Sequence, residues 1–311
     1  MKSLRLIKVI ASSLFVASLL ALNPIGASAE WKSDPRGWWY TEGSSWATGW
    51  RLINSKWYYF DSKGYMAKDT TIDGYYLNES GAWTELTTSG NFKFDKSTGT
   101  IVEYTGSDSS VVIPNKIDGT EVKRIRFTST STCKNLTSIT IPDSTTGIES
   151  IVCMNCSNLT HVDIPSSVKR IDPFAFNGCS NLKSITIPDG VTSINTASFS
   201  GCSSLKSLTI PNSVKTINTK AFAGCSSLES ITIPNSVTSM GNDVFQECTN
   251  LKSITIPDSV TSIATYQNMP NGIGINPFYD CTKATFYVKS QALKQILINS
   301  GVSASKITIS A

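Results

Sequence analysis

The chain has 311 residues, of which 40% are hydrophobic, 9% aromatic and 16% charged. This composition excludes collagen-like and disordered chains, and the length suffices for about two domains. The formal net charge of +4 becomes +1 when residues 1–29 are set aside, so nothing indicates a nucleic-acid partner. With one histidine, His161, a histidine-rich zinc site is excluded, and we expect no metal and no cofactor.

Residues 1–29 have the pattern of a secretory signal peptide. A basic start, an apolar run over residues 9–22 and the small-x-small sequence Ala27-Ser28-Ala29 are what signal peptidases require. An uncleaved membrane anchor is the alternative, but Asn23-Pro24 ends the apolar run before the roughly 20 residues that span a bilayer. We therefore predict a secreted protein that begins near Glu30 and has no transmembrane anchor after cleavage.

Aromatic residues are concentrated in residues 31–84, which contain all seven tryptophans and six of the ten tyrosines. Aromatic segments at 37–40, 56–60 and 74–77 recur about every 18 to 19 residues, and a glycine follows each of them. Short aromatic strands around glycine turns predict successive β-hairpins. A unit of about 20 residues cannot bury a core alone, so neighbouring hairpins must stack their aromatic faces.

Three short segments carry a family resemblance: Thr48-Gly49-Trp50, Lys56-Trp57-Tyr58-Tyr59-Phe60-Asp61 and Gly64-Tyr65-Met66-Ala67. Together they resemble the choline-binding or cell-wall-binding repeat of Gram-positive surface proteins. The resemblance implies aromatic cages that hold the quaternary ammonium of choline on teichoic acids through cation–π attraction. It also implies that residues 31–84 bind a wall polymer of the choline or teichoic-acid type.

Strand alternation indicates which rings face the ligand. It places Trp57 and Tyr59 on one face of their strand and Tyr58 and Phe60 on the other. We extend the Trp57 face to the neighbouring aromatic segments. The predicted ligand-binding residues are Trp38, Tyr40, Trp50, Trp57, Tyr59, Met66 and Tyr75. The alternative is that these rings only fill the interior of the hairpin stack.

The remainder of the chain is a repeat with a period of 23 residues. Six prolines from Pro142 to Pro257 and six cysteines from Cys133 to Cys248 recur at this spacing. The complete unit, seen in residues 179–202, is Cys-x-x-Leu-x-x-Ile-x-Ile-Pro-x-x-Val-x-x-Ile-x4-Phe-x-x-Cys. Its Ile-x-Ile alternation predicts a short strand that proline ends, and each turn buries one face against its neighbours. The repeat therefore predicts a solenoid.

This unit resembles the BspA-like leucine-rich repeat of bacterial surface proteins. We predict an N-terminal cap and irregular first repeat at 85–125, repeats at 126–282 with an insertion at 264–275, and a C-terminal cap at 283–311. Within that cap we expect a strand at 285–288, a helix at 291–298 and a strand at 306–309. The predicted fold class is a mainly β repeat protein: choline-binding-type hairpins, then a leucine-rich-repeat solenoid with a small αβ cap.

The cysteines allow two interpretations. Adjacent strands about 4.8 Å apart permit disulfides, but parallel side chains at identical repeat positions make the geometry poor. We therefore predict a row of buried free thiols that behave as small hydrophobic side chains. Cys153 and Cys156 have Cys-x-x-Cys spacing, yet Cys153 occupies the repeat position of Phe176, so we predict no redox role.

His161 lies at a strand position predicted to face solvent on the concave side, with Asp163 on the same face and serines in the same row. Exposed hydroxyls on flat strands lack the strained presentation and oxyanion hole of a nucleophilic serine. We therefore predict no catalytic residue and no enzyme. His161, Asp163, Arg170 and Lys183 are instead predicted as a recognition patch, because their repeat departs most from the consensus.

These features predict a secreted protein of the cell wall or cell surface, held non-covalently to wall polymer by its aromatic repeats. The resemblance implies an adhesin-like role, in which the solenoid contacts an unidentified protein or glycan. Two alternatives are a protein associated with a cell-wall hydrolase and a carbohydrate-binding protein whose solenoid is only a spacer.

Overall fold

The computed structural model describes residues 29–126, 132–150, 152–264 and 277–310. Nearly all of the predicted signal peptide and of the predicted insertion at 264–275 lies outside these residues. The chain divides into two compact units, one ending at Leu86 and the other beginning at Thr87. The described residues are mainly β, as the sequence predicts, and α-helix is found at one place near the C-terminus.

The first unit consists of short antiparallel hairpins, which confirms the prediction from the aromatic segments. A three-stranded sheet is followed by two two-stranded hairpins, β4 with β5 and β6 with β7. The strands are β1 (Trp31–Asp34), β2 (Gly37–Glu42), β3 (Ser45–Trp46), β4 (Gly49–Ile53), β5 (Lys56–Phe60), β6 (Thr70–Ile72) and β7 (Tyr75–Leu77).

Two-residue turns fix the register of the last two hairpins. Asn54 and Ser55 join β4 to β5 with φ angles of 49° and 63°, and Asp73 and Gly74 join β6 to β7 with φ angles of 53° and 82°. Two consecutive positive φ values define the primed turn whose twist matches a hairpin, and Asn, Asp and Gly tolerate it best. As a result Trp50 lies directly opposite Tyr59.

The core of this unit is small. One cluster contains three buried side chains, Ala47, Ile53 and Phe60, and half-buried aromatic residues pack around it. Trp31 is central to this packing, because its ring centroid lies 5.7 Å from that of Phe60. Much aromatic surface is therefore left partly open to solvent.

From Leu86 onward the chain forms stacked turns in which most strand pairs are parallel, and two hairpins near the start of this part are antiparallel. The elements are β8 (Leu86–Ser89), β9 (Phe92–Asp95), β10 (Thr100–Tyr104), β11 (Ser110–Val112), β12 (Lys116–Ile117), β13 (Thr120–Glu121), β14 (Arg124–Ile125), β15 (Ser138–Thr140), β16 (Gly147–Ile148), β17 (His161–Asp163), β18 (Arg170–Ile171), β19 (Ser193–Ile194), β20 (Thr216–Ile217), β21 (Ser230–Thr232), β22 (Ser239–Met240), β23 (Ser253–Thr255), β24 (Ser262–Ile263), β25 (Thr285–Val288), α1 (Gln291–Asn299) and β26 (Ile307–Ile309). Strands β11, β15 and β17 form one sheet, and β21, β23, β25 and β26 form another. A second series comprises the sheet β18-β16-β14-β10-β9-β8 and the sheet β19-β20-β22-β24.

The sheet register reproduces the sequence period. Ser138 lies opposite His161 and Ser230 lies opposite Ser253, so each pair joins residues 23 positions apart. A residue therefore stacks on its own equivalent in the next turn, which confirms the predicted solenoid.

The interior of the solenoid is built from rows of repeated side chains, two of which are a phenylalanine row and a cysteine row. The rings of Phe176, Phe199, Phe222, Phe245 and Phe278 stack with centroid separations of 5.5 to 5.9 Å and interplanar angles of 7° to 11°. Beside them, the Cys225 thiol donates to the carbonyl oxygen of Phe199 over 3.3 Å, and Cys248 repeats this contact one turn later with Phe222 over 3.2 Å. The thiols thus satisfy backbone acceptors in the core.

Two details differ from the sequence predictions. The complete repeat has no strand at 185–187, and the hydrogen bond that leads into this turn, from Lys183 N–H to Thr160 O, is long at 3.5 Å, against 2.9 Å for Thr160 N–H to Thr137 O. The prediction of free thiols is wrong for Cys133 and Cys156, which form a disulfide with Cα atoms 4.4 Å apart. Neighbouring turns bring these Cα atoms within bridging distance.

The C-terminal strand, helix and strand agree with the prediction to within one residue at each end. Helix α1 begins after Ser290, whose hydroxyl accepts a hydrogen bond from the Leu293 N–H over 3.2 Å. This is a standard N-cap contact. Leu293 and Leu297 are buried, and β26 adds a parallel strand to β25, so the cap closes the end of the core.

Candidate functional site

The first unit contains a cavity of about 290 Å³, which we call the Trp31 cavity. It is lined by Trp31, Trp38, Tyr58, Met66, Lys68, Glu79 and Ser80. Trp31 and Tyr58 meet edge to face with centroids 5.0 Å apart, and Trp38 is 48% exposed at the side of the cavity. The cavity therefore combines three rings, a thioether and one charge of each sign.

Backbone contacts hold Met66 in this cavity. Its N–H donates to the Trp38 carbonyl oxygen over 2.7 Å. Its side chain lies against Gly81, where a Cβ atom would come within 2.3 Å of the Met66 sulfur. Only glycine leaves space for the thioether, and its φ of +77° is one that glycine adopts readily. The glycine turn predicted at this position thus also shapes the cavity.

Four further rings form a second group, which we call the Trp50 cluster. The ring centroids of Trp50 and Tyr59 are 5.5 Å apart, those of Trp50 and Tyr75 are 5.9 Å apart, and those of Tyr75 and Trp83 are 6.2 Å apart. All three pairs meet edge to face, as ring quadrupoles favour. The Trp50 indole N–H also points to Asp73 Oδ2, at 3.4 Å.

The structure divides the predicted ligand-binding residues. Trp38 and Met66 line the Trp31 cavity, and Trp50, Tyr59 and Tyr75 form most of the Trp50 cluster. The predicted common face of Trp38, Tyr40, Trp57, Tyr59 and Tyr75 is therefore divided between different surroundings, and the ligand-binding role of the set stays a prediction. Strand β5 contributes to both groups, because its consecutive Tyr58 and Tyr59 point to opposite faces and supply one ring to each.

Tyr40 and Trp57 have other surroundings. Tyr40 packs against Trp31, with centroids 5.2 Å apart, and belongs to the rim of the small core. Trp57 is half-buried opposite Leu52, and its carbonyl oxygen accepts from Trp83 N–H over 2.7 Å.

The sequence reasoning missed Trp31, Tyr58 and Trp83 as members of these groups. A usable signal for Trp31 was present, because Pro35 and Gly37 mark a turn that pairs Trp31 with Tyr40. Burial raises the pKa of the Tyr58 hydroxyl, so this ring stays neutral at physiological pH.

In the solenoid, the predicted recognition patch is not one surface. His161 Nε2 lies 3.0 Å from Asp163 Oδ1, and both side chains are exposed on β17. Arg170 belongs to the other series of sheets, on β18, where its Nε lies 2.9 Å from Asp172 Oδ1. Lys183 is exposed in the turn that follows the one containing β17.

The serine on the strand that precedes His161 in the sheet is engaged elsewhere. Ser138 lies opposite His161, but its hydroxyl donates to Ser110 Oγ over 2.8 Å. The thiols of the core are also poorly suited to chemistry, because burial raises the pKa of Cys179 and of Cys225 to about 12.

Two features are absent from the described residues, which are 29–126, 132–150, 152–264 and 277–310. No group of three or more His, Cys, Asp or Glu side chains there has an arrangement that holds a metal ion. No helix in the same part of the chain has the length and apolar character to cross a membrane.

Comparison with protein families identifies the repeats. The BspA type leucine-rich repeat region matches residues 103–226 and 146–283, with six copies. These ranges together cover more than half of the 311 residues, and the chain belongs to this family. A choline-binding repeat matches residues 47–84. Proteins with these repeats are typically bacterial surface or wall proteins.

Several solved structures are similar. A leucine-rich repeat protein from Eubacterium ventriosum has a TM-score of 0.52 and 22% identity, over 63% of this chain and 50% of that chain. A leucine-rich cell surface protein from Faecalibacterium prausnitzii has a TM-score of 0.43 and 24% identity, over 72% of this chain and 78% of that chain. Choline binding protein F from Streptococcus pneumoniae is 38% identical over 19% of this chain and 20% of that chain, with a TM-score of 0.18. The first of these similarities shows the solenoid fold. No curated protein matches the sequence.

Proposed function

We propose that this chain is a secreted, non-enzymatic surface protein that binds quaternary ammonium groups of wall polymer through its first unit. The solenoid is then free to contact a protein or glycan partner, in the manner of an adhesin. The Trp31 cavity carries this proposal, because it is the place where three rings and a methionine surround an open volume of about 290 Å³.

The chemistry of that cavity suits choline. A quaternary ammonium has no N–H to donate, so polar pockets bind it poorly, whereas the faces of aromatic rings attract it electrostatically. Trp31, Trp38 and Tyr58 supply such faces, and the Met66 thioether is polarizable. Glu79 and Lys68 line the same cavity with one charge of each sign, so the ring faces supply the attraction for the cation. The volume is also close to the lower end of the range found for small-molecule sites, about 300 Å³.

One aromatic cage binds weakly, with about 0.5 to 2 kcal/mol from each cation–π contact. A wall polymer that repeats its ligand compensates, because a second site on the same chain then binds at high effective concentration. The Trp50 cluster is the candidate for that second site. Two sites of modest affinity are sufficient for retention on a polyvalent surface.

The decisive experiment compares two exposed tryptophans. We expect the full chain to be retained on a choline-substituted resin and eluted by choline. Trp38→Ala should raise the Kd for choline by about tenfold, since it removes one of the three aromatic rings of the cavity. Trp46→Ala is the matched control, because Trp46 is 57% exposed and lies outside the Trp31 cavity.

Two results would contradict the proposal: a wild-type chain that passes through the resin, or equal losses in the two variants. Circular dichroism of both variants checks that each is folded. Elution of the full chain from purified Gram-positive walls by choline would then extend the result from the resin to the wall.

For the solenoid, the observation that favours a contact surface is the regular exposed row on the strands. Thr140, Asp163, Thr232 and Thr255 have exposed side chains at equivalent positions. Repeat solenoids use such extended faces to bind macromolecules. If the solenoid is only a spacer, the double variant His161→Ala, Asp163→Ala should attach to host or bacterial surfaces as well as the wild-type chain does. If the solenoid is a contact surface, attachment should be weaker.

A further inference from the structure

A second open volume of the first unit, about 580 Å³, has a different chemistry from the Trp31 cavity. We call it the Arg36 cavity, and it is lined by Asp34, Arg36, Trp39, Trp46, Lys63 and Tyr65. Consecutive residues of a strand point to opposite faces, so Trp38 and Trp39 place the two cavities on opposite sides of β2. Nothing in the proposed choline site accounts for the Arg36 cavity.

A cation of the chain itself already occupies the aromatic part of this cavity. The Arg36 guanidinium carbon lies 5.1 Å from the centroid of the Tyr65 ring, which is a cation–π distance. The Trp39 ring stands edge-on to the same tyrosine, with centroids 6.1 Å apart. A quaternary ammonium would have to displace the guanidinium to reach these ring faces.

The position of Arg36 is fixed by a carboxylate. Its Nη2 and Nε atoms donate to Asp34 Oδ2 over 2.7 and 3.0 Å, and the Tyr65 hydroxyl donates to the same oxygen over 3.1 Å. The hydrogen bond from Arg36 lowers the pKa of Asp34 to about 2. Asp34 therefore stays ionised and holds both the arginine and the tyrosine that form one end of the cavity.

The other end is an exposed ring. Trp46 is 57% exposed, and its indole lies on Gly64, where a Cβ atom would approach Trp46 Cδ1 within 2.3 Å. Lys63, next to that glycine, brings a second cation to the cavity. The nearby Asp61 carboxylate is engaged in its own turn, since Oδ1 accepts the N–H groups of Lys63 and Tyr65.

We propose that the Arg36 cavity binds a sugar that carries a negatively charged group. The sugar ring lies on the exposed face of Trp46, and its carboxylate or phosphate is bound by Arg36 and Lys63. Asp34 Oδ2 engages Nε and Nη2 on one edge of the Arg36 guanidinium, so the anion binds the remaining N–H groups, on Nη1 and on the other side of Nη2. Arg36 has a second role as the residue that excludes quaternary ammonium ions from this cavity.

Indole N–H signals in proton–nitrogen NMR spectra test this proposal on the full chain. Trp39→Phe and Trp46→Phe assign the two relevant signals. We expect glucuronic acid and glucose 6-phosphate to shift them, and glucose to shift them only at about tenfold higher concentration or more, because it cannot form the charged contacts. Comparison of the two acids distinguishes a carboxylated from a phosphorylated sugar as the natural class.

The variant Arg36→Ala tests both roles. It should raise the Kd for the acidic sugars by about tenfold or more and should let choline shift the Trp39 signal. Arg51→Ala is the matched control, because Arg51 pairs with Glu42 outside the cavity and its loss should change neither titration.

The proposal is overturned if glucose binds as tightly as the acids, or if choline shifts the Trp39 and Trp46 signals of the wild-type chain. It is also overturned if Arg36→Ala and Arg51→Ala behave alike. The Trp38 signal reports choline binding at the Trp31 cavity in the same spectra, so failure of one proposal is distinguished from failure of the other.

Discussion

Aromatic rings are used in opposite ways by the two units. In the solenoid, the ring of Phe222 is fully buried between those of Phe199 and Phe245. In the first unit, Trp38 and Trp46 are about half exposed and line open volumes.

The difference comes from strand direction and repeat. In the solenoid, parallel turns share one register, so each phenylalanine ring packs on its equivalent in the next turn. The row of rings is therefore buried along its length. Antiparallel hairpins with consecutive aromatic residues divide their rings between two faces, and too few turns follow to cover both. A high aromatic content therefore yields core in one unit and candidate binding sites in the other.

The largest expected effect on stability comes from a change in the buried phenylalanine row of the solenoid. Phe222→Ala removes a fully buried ring and should lower the free energy of unfolding by about 3 to 5 kcal/mol. Tyr59→Ala, which removes a half-buried cross-strand partner of Trp50, should cost about 1 kcal/mol. Urea unfolding measures both: far-UV circular dichroism follows the solenoid, and tryptophan fluorescence follows the first unit, where all seven tryptophans lie.

Equal losses in these two variants would show that the hairpin rings are core in the same sense as the phenylalanine row. That result would favour the interpretation in which the aromatic segments are only structural.

A second contrast concerns charge inside and outside the solenoid. Glu149 is buried and contacts Arg126, with Arg124 and Arg170 at 3.8 and 3.7 Å. Glu149→Gln removes the negative charge from this buried cluster, and we expect a loss of about 3 kcal/mol in the free energy of unfolding.

The matched control is Glu229→Gln, because Glu229 pairs with Lys252 at 2.8 Å on the exposed surface. Exposed pairs contribute about 0 to 1 kcal/mol. We compare the urea midpoint of each variant with that of the wild-type chain. Equal changes in the two variants would refute the assignment of Glu149 as a buried structural charge.

The last expected effect is the pH response of the thiols, which is small near neutral pH. Folded Cys179 and Cys225 have pKa values raised by burial to about 12, against a reference of 9.0. Above pH 9 the unfolded chain loses thiol protons that the folded chain keeps, so stability is complete below pH 9 and declines as pH rises toward 12. Each thiol contributes a slope of at most about 1.4 kcal/mol per pH unit.

Unfolding free energies at pH 8, 9, 10 and 11 measure this slope, and Cys225→Ala should reduce it. An unchanged slope in that variant would show that other groups cause the alkaline loss. We also expect iodoacetamide to alkylate the thiols slowly in the native chain at pH 8 and rapidly in urea.

Much of the solenoid was predictable because individual residue types recur at the period of the repeat. Pro188, Cys179 and Phe199 mark positions whose equivalents recur at 23 residues, and the observed register has the same spacing. The candidate sites were less accessible. Alternation correctly separates Tyr58 from Tyr59, but it does not say which neighbouring hairpin lies against each face.

The sequence by itself determined the hairpins, the parallel turns and the terminal strand–helix–strand cap, since turn residues and hydrophobic spacing act locally or between identical neighbours. Tertiary structure alone decided that Trp31 joins Tyr58, that Arg36 covers Tyr65 and that Arg170 belongs to a different sheet from His161. Those contacts depend on how unlike segments approach one another in space, and no periodic pattern along the chain encodes that distance.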